Sequence, residues 1–263
     1  MKQKVVQKIL GILLFGFGFI LLTPVIVSLV YKDHTHYSFI IAAFINVIVG
    51  FALWAPNRKS KDELKIRDGF IVVVLFWVVL SISGAVPFIV TNTVKLTLSE
   101  AIFESFSGLT TTGATVISDL ELLPESLLFY RQLLQWLGGM GIIVLAVAIL
   151  PILGIGGMQL YKAETPGPNK DSKLTPRIKE TAKALWVIYL ALTLLCTISY
   201  YFAGMSLFDA INHSFSTIAI GGFSTYNESI GHFDSVAIDF TVSLFMFLAA
   251  INFSLHFLSW KSK

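Results

Sequence analysis

Six stretches of the chain are apolar over roughly the 20 residues that one helical crossing of a bilayer requires: residues 9–31, 37–55, 69–90, 127–153, 184–203 and 236–260. Between the third and fourth, and again between the fifth and sixth, lie longer connections, residues 91–126 and 204–235. Each holds an apolar stretch of about 12 residues, too short to cross. Backbone that dips into a bilayer without crossing it must be buried in protein or line a wet cavity, so each connection is expected to enclose something polar. The pattern predicts an all-α membrane protein: two extra N-terminal transmembrane helices, then two repeats of helix, re-entrant loop and helix. The expected boundaries are 1–56 for the N-terminal pair, 57–68 for a linker, 69–158 for the first repeat, 159–183 for a second linker and 184–263 for the second repeat.

The two re-entrant segments are copies of one another. At an offset of 109 residues, the run from Glu100 to Thr115 (EAIFESFSGLTTTGAT) aligns with the run from Asp209 to Ser224 (DAINHSFSTIAIGGFS), and six of 16 positions are identical. Duplication of a supersecondary unit explains this where chance would give about one match. Glu100 and Asp209 suit the first turn of a short helix, where a carboxylate meets the positive dipole end. After that helix both copies change to residues that favour extended backbone. Carbonyl oxygens aimed at a common axis replace the water around a desolvated cation. Aiming them alike forces some residues into backbone regions that glycine tolerates best, a role open to the matched pair Gly113 and Gly222. A glycine-containing surface turn is the plainer alternative. Asp119, Glu121, Glu125, Glu228 and Asp234 either concentrate cations at the mouth or form a solvated loop face.

Charge supplies the orientation. Of 19 Lys and Arg residues, 16 fall at the N-terminus, in residues 57–68 and 159–183, or at the C-terminal end; only Lys32, Lys95 and Arg131 fall on the opposite side, with ten of the 16 carboxylates. Basic connections are expected to be cytoplasmic, so both termini should lie inside. The apolar run after Lys2, Lys4 and Lys8 is longer than a signal-peptide core and lacks a small-residue cleavage site, so it should remain in the protein.

The net charge of +3 is spread over four juxtamembrane segments without interleaved aromatics, which argues against nucleic acid as a partner. One cysteine, Cys196, excludes a disulfide framework within the chain and reads as an apolar packing residue. No phosphate loop or metalloprotease motif is present, so the chain is not expected to be an enzyme and no cofactor is implied.

Further polar and glycine positions invite roles. Glu104 and His213 occupy equivalent places on the two short helices and either brace the loops from behind or touch the ion. Asn252 and His256, spaced i and i+4, share a helix face and either line the pore or join neighbouring helices. Gly138, Gly139 and Gly141 punctuate a helix too long for the bilayer, which should bend or break, either for close packing or as a hinge. Thr175 and Pro176 read as an N-cap and first helical position.

These loops, with Trp136-Leu-Gly-Gly-Met-Gly-Ile-Ile-Val-Leu-Ala146, resemble the Trk/Ktr/HKT potassium transporters. Leu174-Thr-Pro-Arg-Ile-Lys-Glu-Thr-Ala-Lys183, Ile218-Ala-Ile-Gly-Gly-Phe-Ser-Thr225 and Asn252-Phe-Ser-Leu-His-Phe257 look most like the TrkH branch, as do the two extra N-terminal spans. The resemblance implies potassium uptake across a bacterial cytoplasmic membrane, through four such units around one axis. Two of the four are present here, so the chain is expected to supply half a pore, either as a truncation or, alternatively, completed by a second copy about a twofold axis. A non-conducting scaffold or regulatory half is the competing function. Carried over residue by residue, the potassium-binding carbonyls would be those of Thr111, Thr112, Ile220 and Gly221, shaped by Thr110, Gly113, Ala219 and Gly222. The only metal ion implied is transported potassium. The implied partners are the lipid bilayer, a second copy in a homodimer and a cytosolic nucleotide-binding regulatory subunit of the TrkA type.

Overall fold

In a computed structural model, residues 3–60, 66–91, 93–153, 178–251 and 256 are described, and all their regular structure is helical. Residues 154–177, which hold most of the expected 159–183 linker with Thr175 and Pro176, lie outside these residues, as do Asn252 and most of the chain after residue 251. The first span is two helices, α1 (Gln3–Ile20) and α2 (Leu22–Tyr31), broken at Leu21. The second is α3 (His36–Trp54). The first repeat comprises α4 (Ile66–Gly84), α5 (Val86–Val90), the short α6 (Leu98–Leu109) and α7 (Glu125–Leu153). The second comprises α8 (Ile178–Phe202), the short α9 (Leu207–Ala219) and α10 (Val236–Ala250). Among the described residues, four helical stretches are long and apolar enough to cross a membrane, Gln3–Tyr31, His36–Asn57, Ile71–Val90 and Ala184–Phe202, with Val236–Ala250 a shorter apolar helix.

Local chemistry sets the boundaries. Thr97 and Glu100 form a reciprocal capping box at the start of α6, satisfying two backbone donors the helix itself leaves open. The matched Ser206 Oγ accepts from Asp209 N at the start of α9. Between α4 and α5 the helix is interrupted just before Pro87, whose ring removes a backbone donor. Tyr130 on α7 donates to Gly84 O at 2.7 Å there, so this break is tied to the first repeat's second helix.

Two apolar cores follow the repeats. Phe17, Leu21 and Phe39 of the N-terminal helices join Phe76, Leu80, Phe88, Leu109, Leu127, Tyr130 and Leu134 in one cluster. Met140, Tyr189, Cys196, Tyr200, Ile218, Ile238 and Phe245 form the other. The N-terminal pair is thus packed onto the first repeat, and Cys196 is buried among apolar neighbours.

A polar clamp adds to that junction. Asp33, in the turn between α2 and α3, accepts from Thr35 N and Oγ1 at 3.1 and 2.9 Å and from Ser126 N in the first turn of α7 at 2.9 Å. Ser28 also donates to it, and the Thr35 and Ser126 hydroxyls are hydrogen-bonded to each other. Burial alone would raise the Asp33 carboxyl, but the bonds from Ser28, Ser126 and Thr35 outweigh it and hold the pKa at about 2, below its ordinary 3.8. A lowered folded-state pKa contributes stability above the unfolded value and loses it as pH falls through the folded one. The melting temperature in detergent should therefore decline between about pH 4 and pH 2, and Asp33→Asn should flatten that limb. An unchanged acid limb in the variant would refute the clamp.

Candidate functional site

The carbon ends of α6 and α9 come together against one place on α7. A Cβ on Gly138 would stand 1.9 Å from Leu109 O, and a Cβ on Gly139 would stand 2.7 Å from the Ala219 Cα. Consecutive glycines thus let α7 pass directly beneath the last residues of both short helices, which explains them as close packing. Gly141, at φ 45° and ψ −143°, then breaks the helical path of α7, where a bend was expected.

Beyond those helix ends the two copies repeat their backbone. Thr111 and Ile220 have φ of 54° and 53°, and Gly113 and Gly222 have φ of 77° and 82°, each pair 109 residues apart. Thr112 N and Gly221 N both return 2.9 Å hydrogen bonds to the matched serines, Ser107 O and Ser216 O. Left-handed backbone at a β-branched residue costs about 1–2 kcal/mol, and two such residues at matched positions are over-determined by their surroundings rather than accidental. The glycine pair was legible in the sequence; Thr111 and Ile220 gave no such signal.

The strands meet. A Cβ on Gly113 would lie 2.0 Å from Gly221 O and 3.6 Å from the Gly222 Cα. Thr110, Thr112, Ile220 and Gly222 are exposed, Thr111 and Gly113 are half-buried, and Ala219 and Gly221 are buried. Thr110 Oγ1 donates to Phe106 O at 2.7 Å and lies 2.8 Å from Thr112 Oγ1.

Behind the strands sits polar machinery. Both oxygens of the fully buried Glu104 are engaged: Thr115 Oγ1 lies at 2.9 and 3.0 Å, Val116 N at 3.1 Å and Arg131 Nε at 2.7 Å. His213, its counterpart, places Nε2 3.0 Å from Ser224 Oγ and Nδ1 2.9 Å from Asp209 O. Ser224 is itself the counterpart of Thr115. Both residues brace the segment that follows a strand.

Two residues emerge that sequence reasoning missed. Arg131, counted in the sequence only as a charge of the acidic side, makes contacts across the two repeats. It is fully buried, donates from Nη1 to Ser224 O at 3.1 Å and lies 4.2 Å from the Phe223 ring centre. Gln135, one turn on, donates from Nε2 to Gly221 O at 2.8 Å and accepts from Phe223 N at 3.0 Å. Their i, i+4 spacing within an apolar run was the available signal. In the loops that follow, Asp119, Glu121, Glu228 and Asp234 are exposed, and Asn227 Oδ1 accepts from Leu120 N at 2.9 Å, joining the loops of the two repeats.

Comparison with known proteins agrees with this architecture. The family profile of TrkH, described as a cation transport protein, matches residues 35–262. The chain belongs to the TrkH family. It is 56% identical to the Trk system potassium uptake protein TrkH of Vibrio parahaemolyticus, covering 100% of this chain and 54% of the relative. It is 54% identical to the TrkH of Halomonas elongata, over 100% of the chain and 55% of the relative. The crystal structure of the potassium transporter TrkH from Vibrio parahaemolyticus superimposes with a TM-score of 0.86 at 52% identity, over 100% of this chain and 53% of that one. This TrkH-family chain therefore spans about half the length of the relatives it matches. It is an all-helical membrane protein of a transporter family, and its relatives are named for potassium uptake rather than for an enzymatic reaction.

Proposed function

We propose that this chain supplies half of a potassium-conducting pore, in which backbone carbonyls of residues 110–113 and 219–222 replace the water of the passing ion. The carbonyls of Thr111, Thr112, Ile220 and Gly221 make the contacts, and Thr110, Gly113, Ala219 and Gly222 shape the backbone that presents them. One observation carries the reading: left-handed residues recur at 111 and 113 and at 220 and 222, on strands close enough to touch. Alternating the hand of the backbone turns successive carbonyls toward one side, whereas a regular strand alternates them. Helix geometry favours the same ion. The negative ends of α6 and α9 point toward the strands, each contributing about 0.3–1 kcal/mol to a cation held there. The exposed carboxylates at the mouth raise the local cation concentration.

The basic connections face the cytoplasm in this reading, with both termini inside a bacterial inner membrane. That face is the docking surface for a cytosolic nucleotide-binding subunit of the TrkA type, and two pores pair as a homodimer. The remaining pore units come from outside these 263 residues. The test is rubidium uptake into vesicles holding this chain fused to the second half of the Vibrio parahaemolyticus TrkH, beside vesicles holding the chain alone. Uptake by the fusion that potassium competes away is the expected result. A folded fusion that passes no rubidium would overturn the proposal in favour of a non-conducting scaffold.

A further inference from the structure

We infer that Gln135, on α7 of the first repeat, is the positioning residue that sets the ion discrimination of the second repeat's strand. The inference rests on the potassium-filter reading of residues 219–222 and adds a residue to it that lies 86 positions away.

The side-chain amide of Gln135 engages the backbone on both sides of Gly222. Its Nε2 donates to Gly221 O at 2.8 Å, and its Oε1 accepts from Phe223 N at 3.0 Å. A neighbouring β-strand would offer the same acceptor and donor pair, so one planar amide stands in for a strand partner. Held at 221 and at 223, the chain between them keeps Gly222 at φ 82°. Gln135 is fully buried, so water cannot take over its bonds. Gly221 is bare for the same reason: a Cβ there would stand 2.4 Å from Gln135 Cδ. Arg131, on the same face one turn earlier, continues the hold through Ser224 O and the Phe223 ring.

The clamp also tunes the carbonyl it touches. A carbonyl oxygen has two lone pairs, and Gln135 takes one of those on Gly221, leaving one for an ion. Discrimination among cations depends on the number and field strength of the carbonyls offered, so a change in how Gly221 O is held is read out as selectivity. The arrangement runs one way. The residues 109 positions after Arg131 and Gln135 are Phe240 and Leu244, which have no amide or guanidinium to offer, while the first strand is held by its own Ser107 and Glu104.

The experiment uses the fusion of this chain with the second half of the Vibrio parahaemolyticus TrkH, and measures rubidium and sodium uptake separately. Gln135→Met keeps the volume and loses both hydrogen bonds; Gln135→Glu keeps the acceptor for Phe223 N and loses the donor to Gly221 O. The ratio of rubidium to sodium uptake should fall about tenfold in the Met variant, the size set by losing two ordinary buried hydrogen bonds. A smaller fall is expected in the Glu variant, with rubidium still transported by both. An unchanged ratio in a folded Met variant overturns the inference. Should that variant fail to fold, by melting and gel filtration, the Glu variant decides by the same ratio. If the unmutated fusion passes no rubidium, or Gly113→Ala passes it normally, the filter reading falls and the clamp with it; if those controls behave and only the Gln135 ratio stays fixed, the clamp alone is wrong.

Discussion

Gly113→Ala, made in the fusion that completes the proposed pore, is expected to reduce rubidium uptake by roughly a hundredfold or more, the size of effect that an ångström-scale misplacement has where geometry governs a rate. Two effects act at this position, and their sizes differ. Holding alanine at φ 77° costs about 1–2 kcal/mol, which the surroundings can absorb. The collision is the larger effect, because the new Cβ would stand 2.0 Å from Gly221 O, a backbone atom that cannot swing away as a side-chain tip can. The two strands must part by more than an ångström to reach van der Waals contact. That parting displaces the carbonyls of Thr112 and Gly221 together. Gly222→Ala supplies the comparison: its φ is 82°, but nothing lies within 4 Å of its Cβ position, so only the conformational cost applies. Uptake measured per folded molecule should thus rank the unmutated protein above Gly222→Ala and Gly222→Ala well above Gly113→Ala. Equal loss in the two variants would show that backbone conformation, and not the meeting of the strands, governs transport.

The features legible in the sequence were those that repeat or that follow a local rule. Among the described residues, four of the six expected spans are helices of crossing length, placed by apolar length alone, and the short helices came from the aligned copies, with Glu100 and Asp209 in their first turns as the dipole argument required. Gly113 and Gly222 stood out because glycine announces a left-handed position. Thr111 and Ile220 adopt the same conformation without announcing it, since β-branched residues are held there by the surrounding fold rather than by preference. Alignment at an offset of 109 residues also hides the braces, because it highlights what the copies share, whereas Arg131 and Gln135 have no counterparts in Phe240 and Leu244. Their contacts to Ser224, Gly221 and Phe223 span 86 to 93 residues, beyond the reach of any local pattern. Charge counting placed Arg131 on a side of the membrane but could not show, for a related reason, that it is buried against a partner, Glu104.

That pair yields the second large effect. Arg131→Met should destabilise the protein by about 3–5 kcal/mol, the usual consequence of leaving one member of a buried ion pair without its partner. Both side chains are fully buried and 2.7 Å apart, so the Glu104 charge would have neither water nor a guanidinium near it. Glu104→Gln should cost a comparable amount, because the buried Arg131 charge then faces only neutral partners, Ser224 O, the Phe223 ring and the new amide oxygen, and its Nη2 already lacks a hydrogen-bond partner among the described residues. The double variant Arg131→Met with Glu104→Gln removes both charges and should recover a large part of the loss, giving a coupling of about 2 kcal/mol or more. The second repeat supports this logic, since His213 and Phe240 stand at the matched positions: where the guanidinium is missing, the carboxylate is missing too. Thermal melting in detergent of the two single variants and the double variant measures the cycle. If the losses simply add, Glu104 and Arg131 act separately, and the pairing of charges between α6 and α7 contributes nothing to holding the two strands in register.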